Sequence, residues 1–191
     1  MTPLAPGLLI ASPPLGDPRF DRSVVLLASH DEEGAFGWVI NGEKVLSLGE
    51  LLAQAELRTK SPREFKPAAV QVLRGGPVST QQVWLLFPEG KTEDEVEHQT
   101  KVAPGIVATA SRDILEFLAQ GHEIKGLRAF AGYAGWGPGQ LEAEIQAGAW
   151  LPGDVSTELL FETPPHEVWA RAYQLQGTSP LAFTTRTIGS A

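Results

Sequence analysis

Ser23-Val24-Val25-Leu26-Leu27-Ala28, then His30-Asp31-Glu32-Glu33-Gly34, then Ala35-Phe36-Gly37-Trp38-Val39-Ile40: two continuous apolar runs of strand length flank a polar connection that ends in glycine. Such a pattern reads as a β-hairpin. Upstream, Leu8-Leu9-Ile10-Ala11 is a short buried strand bounded by Gly7 and by Pro13-Pro14. Between them, Asp17-Pro18 opens a turn or short helix, with aspartate as the cap and proline at the first helical position. Downstream, Ser47 to Ala53 reads as a short helix with Leu48, Leu51 and Leu52 on one face. Ala69 to Leu73 and Val83 to Phe87 read as strands, and Gly75-Gly76-Pro77 turns the chain between them. Ser111 caps a helix with Ile114, Leu115, Phe117 and Leu118 as its buried stripe, which Gly121 stops. Leu127 to Ala131 is a further strand, Gln140 to Ala147 a helix anchored by Leu141 and Ile145, and Thr163-Pro164 opens a helix carrying Val168, Trp169, Ala172 and Tyr173. Strands come in runs and helices are scattered, without regular βαβ alternation. The fold class expected is α+β, with a largely antiparallel, curled sheet.

The 191 residues fit one domain spanning 1–191, since no repeat and no long linker divides them. Hydrophobic residues make up 42% and charged residues 20%, a balance that supports a packed core rather than disorder. The formal net charge of −8 repels nucleic-acid phosphates and anionic lipid, which argues against direct nucleic-acid contact. Cysteine is absent, which removes disulfides, thiolate metal ligands and cysteine nucleophiles together. No window approaches the ~20 apolar residues of a membrane span, and Met1 to Gly7 lacks the basic start of a signal peptide. A cytoplasmic protein without a membrane segment is the expectation.

Each catalytic or cofactor signature breaks at an identifiable residue. Gly90-Lys91-Thr92 resembles the end of a phosphate loop, but position 85 is leucine where glycine is required, and Glu89, Glu93, Asp94, Glu95 and Glu97 crowd the place. His166-Glu167 begins like a zinc-protease helix, yet the second histidine is replaced by Ala170. His30, His98 and His122 stand in polar sequence without partner spacing and read as surface histidines. No serine sits in a Gly-x-Ser-x-Gly elbow. Arg58, Lys60, Arg63 and Lys66 form the one basic cluster and read as a solvated loop on so acidic a chain. No catalytic residue, metal site or cofactor is assigned.

Gly132-Tyr133-Ala134-Gly135-Trp136-Gly137-Pro138-Gly139-Gln140-Leu141-Glu142 places four glycines within eight residues, ahead of a helix. Glycine this dense marks backbone at positive φ or in close approach. A dinucleotide fingerprint fails, because its third glycine would fall at Gln140, and Glu142 and Glu144 already complement the helix dipole. The segment reads as a packing loop with Trp136 as its buried anchor.

Four ordered motifs now stand together: Gly7 to Ala11 with Asp17 to Val24, Gly34 to Asn41, Gly75-Gly76-Pro77-Val78, and Gly132 to Glu142 with Trp150 downstream. In this order the chain resembles the AlgH-like (YqgE-type) family of small bacterial proteins, nearly end to end. The resemblance implies a single α+β domain with a barrel-like sheet and a cluster of helices. It transfers no catalytic residue, since the family has none agreed, and its name-giving member is described as a regulator of alginate synthesis. One departure is visible: family members usually follow the Asn41 position with a basic residue and proline, where this chain has Gly42-Glu43-Lys44.

Asp17, Arg22, Asn41, Gly75-Gly76 and Gln140, with Trp136 beside them, stand at junctions of strands, loops and helices, where rigid scaffolds present functional groups. They are the candidate binding groove. Beside this stands the reading that Asp17 caps a helix, Arg22 pairs with a nearby acid and the glycines merely turn the chain. The expected function is a non-enzymatic regulatory or partner-binding protein, with transcriptional regulation as one setting and a protein or small molecule as partner. The alternative is a small-molecule-binding protein, or an enzyme of unfamiliar type, using polar groups on the motif loops.

Overall fold

The computed structural model describes residues 4–13, 17–57, 69–91 and 98–180. In chain order they form β1 (Gly7–Ala11), a 3-10 turn (Pro18–Phe20), β2 (Val24–Asp31), β3 (Gly34–Val39), β4 (Lys44–Ser47), α1 (Leu48–Gln54), β5 (Gln71–Arg74), β6 (Val78–Pro88), β7 (Thr100–Ala103), β8 (Ile106–Thr109), α2 (Arg112–Ala119), β9 (Arg128–Trp136), α3 (Gln140–Gln146), β10 (Trp150–Gly153), α4 (Thr157–Phe161) and α5 (Pro165–Leu175). The basic cluster at 58–66 and most of the acidic run at 89–97 lie outside the described residues. The architecture is α+β, a curled, largely antiparallel half-barrel with helices packed on it, as the sequence pattern and the resemblance imply.

The strands run in the order β10-β1-β2-β3-β9-β6-β8-β7. β2 and β3 form the hairpin expected, with Glu32 and Glu33 at the turn and His30 and Asp31 still paired in the ladder. β9 is shared along its other edge. Its C-terminal half, at Ala134 to Trp136, pairs antiparallel with β3, and its N-terminal half, at Ala129 to Ala131, pairs parallel with β5. β5 in turn carries β4. The end of β3 and the end of β5 therefore meet against the middle of β9.

Both faces of the sheet are covered, which is why the strands read as continuous apolar runs rather than alternating ones. Leu8, Ile10, Val24, Leu26 and Trp38 point to one face and pack with Leu159, Leu160, Val168 and Tyr173 of α4 and α5. Their neighbours Leu9, Val25, Leu27 and Val39 point to the other face, with Leu141 of α3, Trp136 and Trp150. A third cluster sets Leu48 and Leu52 of α1 and Ile114 and Leu118 of α2 against Val72, Leu85 and Phe87.

Three expectations are corrected. The segment from Gly132 to Trp136 is not a loop but the second half of β9; only Gly137-Pro138-Gly139 leaves the ladder. Gly132 keeps the strand thin where the chain of Gly76 to Thr80 crosses it: its φ is 73°, and a β-carbon there would lie 2.7 Å from the carbonyls of Gly76 and Val78. Second, β6 begins at Val78, five residues before the apolar run, because its exposed polar start is held by the pairing of Val78 with Tyr133. Third, His30 is not a surface histidine. Its side chain is 3% exposed, Nδ1 accepts from the Leu4 N–H at 3.4 Å, and Nε2 lies 3.0 Å from Glu142 of α3.

Candidate functional site

An open groove of about 530 Å³ lies where the 3-10 turn and the ends of β3 and β5 meet, lined by residues of 18–23, 39–43 and 74–77. Each wall is fixed by the backbone. The Gly75 N–H donates to the Ala131 carbonyl at 2.8 Å and the Val39 N–H donates to the Gly75 carbonyl at 2.8 Å, which pins the end of β3 to the end of β5 on β9. The Arg74 N–H donates to the Glu43 carbonyl at 2.8 Å. Gly76 has φ 153° and lies so close to the Tyr133 and Ala134 backbone that a β-carbon would overlap the Tyr133 carbonyl, so glycine is demanded there.

Asn41 braces the opposite wall. Its Oδ1 accepts from the Val24 N–H at 2.8 Å and its Nδ2 donates to the Arg22 carbonyl at 2.9 Å. Asn41 therefore clamps the turn between the 3-10 segment and β2, and Arg22 is held there at φ 50°, a left-handed conformation that costs a residue with a β-carbon about 1 kcal/mol or more. Strain of this kind persists only where surrounding bonds over-determine it. Ser23 is buried, and its hydroxyl donates to the Phe20 carbonyl at 2.8 Å. Asp17 caps the turn: its Oδ1 accepts from the Arg19 N–H at 3.0 Å.

The charged groups of the groove are Arg19, Asp21, Arg22, Glu43 and Arg74. Arg19 is paired with Asp17 at 2.6 Å, and the hydrogen bonds from Arg19 hold the Asp17 carboxyl below the usual aspartate range. Arg74 is paired with Glu43 at 2.8 Å. The sequence departure at Gly42-Glu43 is thus the source of that ion pair. Arg22 differs from both: its guanidinium lies over the Trp169 ring of α5, 5.6 Å from the centroid, and it has no carboxylate partner among the described residues. Trp169 is itself fixed, since its indole N–H donates to the Ala11 carbonyl at 2.8 Å.

Of the residues singled out from sequence, Arg22, Asn41 and Gly76 line the groove, Gly75 pins its floor, and Asp17 caps the turn beside it. Trp136 and Gln140 are not among its lining residues. Trp136 is buried against Phe20 and Trp150, and its indole donates to Glu144 at 2.9 Å, an acceptor that also takes the Trp150 indole at 2.7 Å. Gln140 accepts from the Gly137 N–H and donates to Glu144, bracing the start of α3. Sequence reasoning did not single out Arg19, Asp21 or Arg74 for the groove; it marked Glu43 only as part of the Gly42-Glu43-Lys44 departure, and Trp169, which lies against Arg22 without lining the groove, only as a helix residue. Arg74 directly precedes the Gly75-Gly76 turn, and that position was its only signal. Among the described residues, no three His, Cys, Asp or Glu side chains group so as to hold a metal ion.

A family model described as AlgH-like matches residues 8–181. A UPF0301 protein of Anaeromyxobacter sp. (strain Fw109-5) is 37% identical over 182 residues, covering 94% of this chain and 92% of that protein. A UPF0301 protein of Ruegeria pomeroyi is 40% identical over 180 residues, covering 93% of this chain and 94% of its own. The solution structure of the AlgH protein from Pseudomonas aeruginosa superposes with a TM-score of 0.75 at 34% identity, covering 100% of this chain and 97% of that one.

Proposed function

The chain belongs to the AlgH-like family, and we propose that it is a non-enzymatic regulatory protein that works by binding a small molecule in the groove at the ends of β3 and β5. The observation that supports this reading is convergence: segments far apart in sequence, 18–23, 39–43 and 74–77, build one concave site with polar walls. A volume of about 530 Å³ falls within the ~300–1,000 Å³ typical of small-molecule sites. Among the described residues the lining offers cations, carboxylates and backbone but no activated nucleophile, since the Ser23 hydroxyl is spent on the Phe20 carbonyl and none of the lining residues is a histidine. Binding is therefore favoured over catalysis. Regulation, including regulation of transcription in the cytoplasm, would then follow from the occupied groove rather than from direct contact with DNA, whose phosphates a chain of net charge −8 repels.

A screen of small metabolites by amide chemical-shift perturbation tests this. Shifts should concentrate at the segments lining the groove. Ligands that perturb only another face would overturn the reading, and chemical conversion of a bound compound would replace binding by catalysis.

A further inference from the structure

Resting on the reading of the groove as a small-molecule site, we propose that its ligand carries an oxyanion, a carboxylate or a phosphate monoester, and that Arg22 is the residue that receives it. Three features of Arg22 support this. It is the groove's one guanidinium without a carboxylate among the described residues, while Arg19 and Arg74 are paired with Asp17 and Glu43. Its cation sits over the Trp169 ring. An aromatic ring satisfies the face of a guanidinium and leaves its in-plane N–H groups for an acceptor, which is the geometry a carboxylate or phosphate takes in bidentate fashion. Its backbone is held in a left-handed conformation by Asn41, so the side chain starts from a fixed point and binding loses less conformational freedom.

The surrounding charges set the kind of anion. Asp21 and Glu43 line the same groove, and Asp17 borders it. A polyanion such as a nucleic-acid backbone would meet these carboxylates, whereas one oxyanion at Arg22 would not need to approach all of them. Arg19 is held by Asp17 through both Nε and Nη2, whereas the Arg74–Glu43 pair is solvent-exposed and screened, so Arg74 is the arginine that can turn toward an anion already seated at Arg22. A hydroxyl or amine elsewhere on the ligand has Asp21 and the backbone of Gly42 to Glu43 as acceptors along the wall.

The test uses the whole chain and three probes at constant ionic strength set with sodium chloride: inorganic phosphate, acetate, and acetamide, the neutral counterpart of acetate. Amide shifts and the Trp169 indole N–H signal are followed through each titration. The expectation is saturable change at Arg22, Gly42, Glu43, Gly76 and the Trp169 indole with phosphate or acetate and none with acetamide. The Arg22→Gln variant, with an unchanged melting temperature, should bind about tenfold more weakly or worse, and Arg22→Lys should recover part of the loss. Tighter phosphate than acetate points to a phosphate ester, and the reverse to a carboxylic acid. If acetamide binds the groove as well as acetate and Arg22→Gln changes nothing, the oxyanion proposal is overturned while the small-molecule reading stands. If none of the three probes moves the groove signals, the oxyanion proposal also falls, and the metabolite screen alone then decides whether the groove binds anything.

Discussion

At Gly132 the backbone φ is 73° and the carbonyls of Gly76 and Val78 stand 2.7 Å from where a β-carbon would be. At Gly135, three residues on, φ is not in the positive region, and the nearest atom to a β-carbon is Tyr133 Cε2 at 3.5 Å, an ordinary contact. The two glycines look alike in the sequence, where both sit in the same dense motif. What separates them is the crossing of the chain at 76–80, a tertiary event that spacing cannot report. Gly132→Ala should destabilise the fold by about 1–3 kcal/mol or more, whereas Gly135→Ala should leave it unchanged or raise it by a few tenths of a kcal/mol through the unfolded chain. Urea unfolding of the two variants checks the contrast, and equal losses would contradict it. Trp136 was legible as an anchor, because a large indole amid glycines has few other uses. Buried at 7% exposure and tied to Glu144, it should cost about 3–5 kcal/mol when replaced by alanine, measured by the same unfolding.

α1 shows how far local signals carry at the scale of an element. Ser47 caps it with its hydroxyl toward the Glu50 N–H at 3.2 Å, and Glu50 returns a carboxylate to the Ser47 N–H at 2.7 Å, a complete capping box. Ser47→Ala should destabilise by about 1 kcal/mol in thermal unfolding. The Ser47 backbone and hydroxyl bonds lower the Glu50 carboxyl below the usual glutamate range. A lowered folded-state value means stabilisation that is present above the ordinary glutamate range and lost as pH falls through the depressed value. The melting temperature of the wild type should therefore fall more steeply on acidification below that range than that of Glu50→Gln, and identical slopes would contradict the assignment. Capped helices and long apolar strands were readable for this reason: their signals are local. β4, β7, β8, β10 and α4 were not: an element of four or five residues carries little pattern of its own, and where β1 and β5 were marked by the glycines and prolines beside them, Thr100–Ala103 exists through its pairing with β8. The groove divides the same way. Asn41 and Gly76 sit at junctions visible in the sequence, but Trp169 reaches Arg22 from 147 positions away only because α5 packs across β1, with Trp169 and Tyr173 both bonded to the Ala11 carbonyl.

Across the whole molecule, β9 is the element that all the cores share. Phe130 belongs to the cluster under α4 and α5, Ala129 and Ala131 to the cluster under α1 and α2, and Ala134 and Trp136 to the cluster beside α3. Loss of packing in any one of them loosens the strand on which the other two are built, and the groove stands at the point on β9 where β3 and β5 meet. The 191 residues should accordingly unfold as one unit, a single domain with no separable half. Leu26, Leu52 and Leu141 each sit in a different cluster and are at most 1% exposed. Leu26→Ala, Leu52→Ala and Leu141→Ala should each cost about 2–5 kcal/mol and each should lower one common transition, seen alike by far-ultraviolet dichroism and by tryptophan fluorescence. The five tryptophans report from two of the clusters: Trp38, Trp84 and Trp169 lie with the first, Trp136 and Trp150 with the third. Should Leu52→Ala leave the fluorescence transition in place while dichroism moves, the α1–α2 cluster would be melting by itself, and the chain would consist of two cooperative units joined through β9.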